Sequence, residues 1–200
     1  MPTSPVLMTA GGEANGMMIR DTSAGYGVPT RVLHWGMAVA ILGMYWLGLW
    51  MVDLTYYSPY YQLAPDIHRS IGIILLTLLL GRFLWRIVND KPDDSELSKM
   101  ERTAARVVHW GFYPLLLSLM ISGYLMSTAD GRAIEVFDWF SVPAIIENKG
   151  MEKPAGAAHA LLAHLTILLV IVHALAALKH QFYDRSGVLG RMWSGSSSNR

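Results

Sequence analysis

The segment PAGAAHALLAHLTILLVIVHALAAL, residues Pro154–Leu178, contains no aspartate, glutamate, lysine or arginine. It is long enough to cross the hydrocarbon core of a bilayer as a helix. His159 and His173 lie fourteen residues apart in it, which places their side chains within about 40° of each other and roughly 21 Å apart along the axis. Titratable side chains at membrane depth are functional candidates by default. The spacing therefore predicts two metal centres stacked across a membrane.

The composition of the whole chain also indicates a membrane protein. Hydrophobic residues make up 52% and charged residues 16% of its 200 residues, and the mean hydropathy is +0.32. Soluble proteins usually contain about 25% charged residues. We expect a lipid bilayer as the environment and no nucleic-acid partner. The absence of cysteine excludes disulfides, Cys-ligated iron–sulfur clusters and haem attached through a C-x-x-C-H motif, so any redox cofactor is held without bonds to sulfur.

Four apolar segments divide the chain. The second is the weakest, because its uncharged stretch, Ser70–Gly81, is only twelve residues long. Arg69 at one end and Arg82 at the other can extend toward the headgroups, which keeps this segment compatible with a span. The sequence predicts an all-α fold, an integral membrane four-helix bundle. Its predicted spans are residues 31–53, 67–88, 106–129 and 155–180.

The transmembrane domain is predicted to occupy residues 26–193. Residues 1–25 mix Gly, Ser, Thr and Met without periodicity and are interpreted as a flexible cytoplasmic tail. Residues 194–200 are interpreted as a disordered tail. The longest connection, Asp130–Lys153, carries several aromatic and apolar side chains and is predicted to lie on the membrane surface as a short amphipathic element.

Basic residues flank the spans unevenly. Residues 82–106, in and around the connection between the second and third spans, carry six Lys and Arg residues and residues 179–200 carry four, whereas residues 51–66 carry none. Lys and Arg accumulate in cytoplasmic loops. Both termini are therefore predicted to lie in the cytoplasm, an N-in/C-in topology.

This topology assigns a depth to each histidine. His34 and His173 fall on the cytoplasmic side, whereas His68 and His159 fall on the outer side. A single histidine at a helix end is more typical of an interfacial or hydrogen-bonded residue, but two pairs matched in depth favour ligation. Structural zinc sites use four ligands, whereas haem iron takes one axial imidazole from each face. The pattern predicts two haem groups, one between His34 and His173 and one between His68 and His159.

A flat haem needs small neighbours and cationic partners for its propionates. The predicted charge partners are Arg69 on the outer side and either Arg31 or Lys179 on the cytoplasmic side. Small residues follow three of the four histidines, namely Gly72 after His68, Ala163 after His159, and Ala176 and Ala177 after His173.

The other histidines have different interpretations. His164 follows His159 by five residues, about 140° around the helix, so it cannot share that metal face and is interpreted as an interhelical hydrogen-bonding residue. His109 has three open interpretations, namely a spare ligand, a residue of a quinone pocket or an interfacial anchor. His180 is predicted to lie in the headgroup region.

Several short strings carry a resemblance to a known family. They are RVLHW at Arg31–Trp35, IHRSIG at Ile67–Gly72, HALAALKH at His173–His180 and DRSGVL at Asp184–Leu189. In order and spacing they resemble the prokaryotic cytochrome b561 family over about residues 26–193. The resemblance implies a small multi-pass cytochrome of the bacterial inner membrane with two b haems. The implied axial ligands are His34, His173, His68 and His159.

The resemblance also implies a function. Members of the family exchange electrons with ubiquinone as a substrate, and some are described as oxidising superoxide at the outer face. The prediction is a di-haem oxidoreductase that transfers electrons between an outer-face donor, with superoxide as one option, and ubiquinone. The alternative is a haem-carrying membrane anchor that conducts electrons for a redox protein partner, a dehydrogenase or another cytochrome.

Overall fold

The computed structural model describes residues 19–23, 25–90, 92–93 and 97–195. Most of the predicted N-terminal tail, residues 1–18 and 24, lies outside the described residues, as do residues 196–200 of the predicted C-terminal tail. The described chain contains five helices and two strands. They are α1 (Val28–Val52), α2 (Leu63–Val88), α3 (Lys99–Thr128), β1 (Ile134–Val136), β2 (Phe140–Val142), α4 (Glu152–Phe182) and α5 (Val188–Trp193).

The four long helices are each long and apolar enough to cross a membrane. Large apolar side chains point outward from them, such as Trp46, which is 68% exposed, and Leu168, which is 59% exposed. An apolar exterior suits a helix surrounded by lipid, where the backbone is already paired within the helix. The predicted all-α membrane four-helix bundle is confirmed, and the chain is a multi-pass membrane protein.

The helices pack in an open arrangement. Among the described residues, extensive close packing joins α1 to α2, α2 to α3 and α3 to α4, whereas α4 does not pack comparably against α1 or α2. A small buried cluster fills the centre where α1, α2 and α3 meet, formed by Met37, Leu75, Leu79 and Leu116. The side of the bundle that faces α4 is therefore the one with room between helices.

Polar caps fix the beginnings of two helices. Buried Asp21 accepts hydrogen bonds from the Gly27 amide at 2.8 Å and from the Thr30 hydroxyl at 2.7 Å, which satisfies groups at the start of α1 that have no partner within the helix. Ser98 and Glu101 form a reciprocal capping box at the start of α3. These caps determine where the two helices enter the bundle.

The connection between α3 and α4 contains a β-hairpin. Strands β1 and β2 are antiparallel, with Val136 opposite Phe140. Ile134 and Val136 are buried, and the Ser70 hydroxyl of α2 donates to the Glu135 carbonyl at 3.1 Å and accepts from the Phe137 amide at 3.2 Å. The connection predicted as a surface element is thus a hairpin docked on α2, with one buried face because its side chains alternate between two sides.

Candidate functional site

A fourteen-residue spacing recurs on all four long helices. Fourteen residues are close to four helical turns, so each pair shares one face at two depths, roughly 21 Å apart. The structure gathers the members of these pairs into two layers. The terminal layer, where α1 begins and α4 ends, contains His34, Arg82, His109 and His173, and the hairpin layer, at the end carrying the β-hairpin, contains Gly48, His68, Gly123 and His159.

In the hairpin layer, His68 of α2 faces His159 of α4. Their ring centroids are 6.1 Å apart, with the ring planes 75° to each other. Two imidazoles that bind one metal ion from opposite sides at about 2 Å have centroids about 6 Å apart. The separation therefore fits a single ion between the two rings.

Two glycines from the neighbouring helices lie against these rings. A Cβ on Gly123 would lie 2.9 Å from Cε1 of His159, and a Cβ on Gly48 would lie 3.4 Å from Cε1 of His68. Gly72 has no protein atom within 4 Å of its Cβ position, so the space there is open, and its expected role of making room beside His68 stays a prediction.

The ring nitrogens of the hairpin layer are arranged in a way that suits ligation. The Nδ1–H of His159 donates to the Leu119 carbonyl at 2.9 Å, which leaves the Nε2 lone pair available to a metal. The buried Nδ1 of His68 has no hydrogen-bond partner among the described residues. A buried polar atom without a partner is costly, and coordination of a metal ion by this nitrogen would offset that cost.

In the terminal layer, His34 of α1 faces His173 of α4. The ring centroids are again 6.1 Å apart, at 73°. The ring of His109 lies 5.2 Å from that of His173, so a third imidazole adjoins this pair. His109 is also exposed, and its three interpretations all stay open.

Arg82 is the cationic side chain that the structure brings to a histidine of the two pairs. Its Nη2 lies 3.2 Å from Nδ1 of His34 and donates to it. A neutral His34 ring then carries its hydrogen on Nε2. Ligation by Nε2 thus requires either that this hydrogen leave or that Arg82 turn away from Nδ1. The sequence predicts Arg82 only as a residue flanking a span, although its position fourteen residues after His68 is a signal that points to the site.

The three predicted propionate partners have protein partners in the structure. Arg69 forms an ion pair with Asp66, and Arg31 donates to the Trp193 carbonyl at 2.8 Å. Lys179 contacts Glu101 at 2.7 Å and Asp184 at 2.8 Å. None of these contacts brings the three cations to the paired rings, and their role toward haem stays a prediction.

Two further histidines are placed by local contacts. The hydrogen bond of His164 is made within its own helix, from Nδ1 to the Ala160 carbonyl at 2.6 Å, so the interpretation as an interhelical hydrogen bond is wrong. Its ring meets Tyr45 of α1 edge-on at 5.7 Å. His180, predicted for the headgroup region, lies 2.6 Å from the carboxylate of Asp184. Hydrogen bonds from Lys179 and His180 lower the pKa of Asp184.

Comparison with known proteins identifies the family of this bundle. The sequence model of the family described as prokaryotic cytochrome b561 matches residues 25–195. The chain belongs to the prokaryotic cytochrome b561 family. This cytochrome is 45% identical to cytochrome b561 homolog 2 of Escherichia coli (strain K12) over 185 residues, which cover 92% of this chain and 98% of the relative. It is 30% identical to the probable superoxide oxidase CybB of Yersinia pestis over 161 residues, which cover 76% and 92%.

Family membership confirms the predicted family and the predicted cofactor class. The chain is a membrane cytochrome of electron transport that binds haem b. The residues fit that group independently of the family, because both pairs of rings have the separation that one iron between them requires, glycines line the hairpin-layer pair, and Nδ1 of His68 has no hydrogen-bond partner among the described residues. The haem supplies the redox chemistry, and the protein supplies ligation, orientation and electrostatics.

Proposed function

We propose that this cytochrome holds two haem b groups and transfers electrons across the membrane between a donor on the hairpin side and ubiquinone. One haem is held by His68 and His159 and the other by His34 and His173. The observation that carries the proposal is the repetition of one ring separation, 6.1 Å, in both layers. When bound, haem iron accepts and releases single electrons.

The protein's own groups orient the ligands and exclude water. The hydrogen bond from His159 to the Leu119 carbonyl holds that ring in one orientation. Gly48 and Gly123 keep the space beside the hairpin-layer rings open for a flat cofactor. The buried cluster around Leu75 closes the centre of the bundle between the layers, so a low dielectric separates the two sites.

The uneven distribution of basic residues supports a sidedness for this transfer. The two segments that adjoin the terminal layer, residues 82–106 and 179–200, are rich in Lys and Arg. Such segments favour the cytoplasm. We place the hairpin layer toward the outer face of a bacterial inner membrane. Electrons from an outer donor then enter near His68 and His159.

Superoxide is a second candidate for the donor because a 30% identical relative is named a probable superoxide oxidase. The charges on the hairpin side weaken this candidate. Residues 130–153 carry five acidic against three basic residues, and Arg69 is already paired with Asp66. An acidic surface does not attract an anionic donor. The proposal therefore rests on electron exchange with quinone and does not depend on superoxide as the donor.

The proposal is tested by anaerobic mixing of the detergent-purified protein with ubiquinol or ubiquinone. We expect ubiquinol to reduce the oxidised haems, or ubiquinone to reoxidise the reduced haems, with both absorbance contributions changing. A His173→Ala variant, which is expected to hold one haem, is mixed with the same quinones for comparison. A fully haem-loaded protein that exchanges no electrons with either quinone form contradicts the proposal.

The rival function, a haem-carrying anchor for a redox protein, predicts a different result. An anchor should copurify with a second subunit and exchange electrons with quinone only when that subunit is present. Electron exchange by the isolated chain therefore separates the two functions. Adding an enzymatic superoxide source to the same preparation tests superoxide as the donor.

A further inference from the structure

The two layers differ at the positions that do not provide axial ligands. In the hairpin layer, α1 and α3 contribute Gly48 and Gly123, which carry no charge and leave space. In the terminal layer, the helices that provide no axial ligand are α2 and α3, and they contribute Arg82 and His109. The bundle is therefore electrostatically unequal at two sites with the same ring separation.

Arg82 provides the permanent charge in this difference. Its guanidinium lies 3.2 Å from His34 and is partly buried, and arginine stays protonated in proteins. The described residues give Arg82 no carboxylate partner. Arg69, the arginine adjacent to His68 in sequence, is paired with Asp66 instead. A fixed positive charge therefore acts on the terminal layer, and no carboxylate among the described residues neutralises it.

We infer that Arg82 makes the haem held by His34 and His173 the site of higher reduction potential, and so directs electrons from the hairpin layer to the terminal layer. Reduction adds one negative charge to the iron site, and a nearby positive charge stabilises that form, more strongly in a low dielectric. The transfer moves one electron from a ferrous site to a ferric site, with no bond or proton change. This inference rests on the proposed pair of haems.

The experiment separates the charge of Arg82 from its hydrogen bond. Arg82→Gln keeps a donor but removes the charge, whereas Arg82→Lys keeps the charge. Each is titrated spectroelectrochemically as full-length, detergent-purified protein, alone and combined with His159→Ala, which leaves only the terminal-layer haem to report. Arg86→Gln is the matched control, because Arg86 lies one turn further along α2 and contacts neither His34 nor His173 among the described residues.

We expect Arg82→Gln to shift the electron partition between the two haems at least tenfold toward the hairpin layer, which corresponds to about 59 mV for one electron. Arg82→Lys should restore the partition to within about threefold of the wild-type value, and Arg86→Gln should stay in that range. The midpoint reduction potential of the hairpin-layer haem, followed by its absorbance, should stay unchanged in all three arginine variants. Three results for Arg82→Gln would overturn the inference. They are an unchanged midpoint potential of the terminal-layer haem, an upward shift of that potential, or an equal shift of the potentials of both haems.

Two outcomes need a second measurement. If Arg82→Gln loses the terminal-layer haem, the wild-type order of potentials decides, measured on the single-haem variants His159→Ala and His173→Ala. A higher potential in His159→Ala supports the inference, and the reverse order refutes it. If these variants do not each retain one haem, the haem count itself refutes the proposed function, and the inference falls with it. Two intact haems with the wrong order refute the inference alone.

Discussion

Adding a single methyl group at Gly123 should disturb one haem site and leave the other intact. In the Gly123→Ala variant, the new Cβ would lie 2.9 Å from Cε1 and 3.0 Å from Nδ1 of His159. Non-bonded carbon atoms prefer separations of about 3.5–4.0 Å. The ring must therefore move by roughly half an ångström or more, away from the position that its hydrogen bond to Leu119 fixes.

The size of the effect follows from two costs. Forcing an extra methyl group into a packed site costs about 1–3 kcal/mol, and weakening one hydrogen bond costs about 1 kcal/mol. Partial relaxation makes a loss of about 2 kcal/mol a reasonable central value, which corresponds to about thirtyfold weaker haem binding at the hairpin layer. The terminal-layer haem, roughly 21 Å away along the helix, should not respond.

Two other glycines provide a graded comparison with the same chemical change. Gly43→Ala places its Cβ with nothing within 4 Å, and Gly48→Ala places it 3.4 Å from His68. Each gains the same helix propensity of about 1 kcal/mol as Gly123→Ala, so that term cancels. We expect no loss of haem for Gly43→Ala, a small loss for Gly48→Ala and the largest loss for Gly123→Ala.

The assay is a haemin titration of the haem-depleted protein in detergent, followed by absorbance, together with the haem content of each purified variant. The terminal-layer site of the same molecule is the internal standard. Equal haem affinity in Gly123→Ala and Gly43→Ala would contradict this prediction, because the contact between Gly123 and His159 would then play no part in binding.

Two further changes test the end of the bundle where α1 begins and α4 ends. Asp21→Ala removes the buried acceptor of Gly27 and Thr30, and we expect the free energy of unfolding to fall by about 1–3 kcal/mol; an unchanged thermal unfolding curve would contradict this. Hydrogen bonding from Lys179 lowers the pKa of Asp184 below 3.8, so its stabilisation is present above that value and lost as the pH falls through the lowered pKa. Asp184→Asn should therefore destabilise the protein at neutral pH, with a difference that shrinks in acid; a pH-independent difference would be inconsistent with this.

The sequence supports the four helices and the two histidine pairs because their signals lie within single helices. Long uncharged segments report lipid exposure directly. The fourteen-residue spacing of His159 and His173 reports a shared helix face. Matching His34 and His68 to these residues required only the direction in which each helix runs.

The remaining parts of the site depend on how the helices are rotated against each other. Gly48 and Gly123 lie beside the rings only because α1 and α3 turn those faces toward their neighbours. Arg82 meets His34 for the same reason. The fourteen-residue spacing of each is present in the sequence, but the spacing alone does not identify the facing helix.

The sequence pattern does not predict the hairpin between α3 and α4, because its strands are short and its turn is held by a tertiary contact. Its strands are three residues long, and the turn uses positive φ angles at Phe137 and Asp138, of 48° and 58°. A phenylalanine is not a usual residue for that conformation. The docking of the turn on Ser70 of α2 offsets part of this local cost, and such a tertiary contact leaves no local pattern in the sequence.

We propose that four histidines hold two haems as two pairs. The direct measurement is the number of b haems per chain, by pyridine haemochrome and the reduced-minus-oxidised spectrum, in the wild type, His68→Ala and His173→Ala. We predict two haems per chain in the wild type and one in each variant, with the remaining spectrum differing between the two variants. A single haem that survives both substitutions, or two haems that are both lost from each variant, would contradict the pairing.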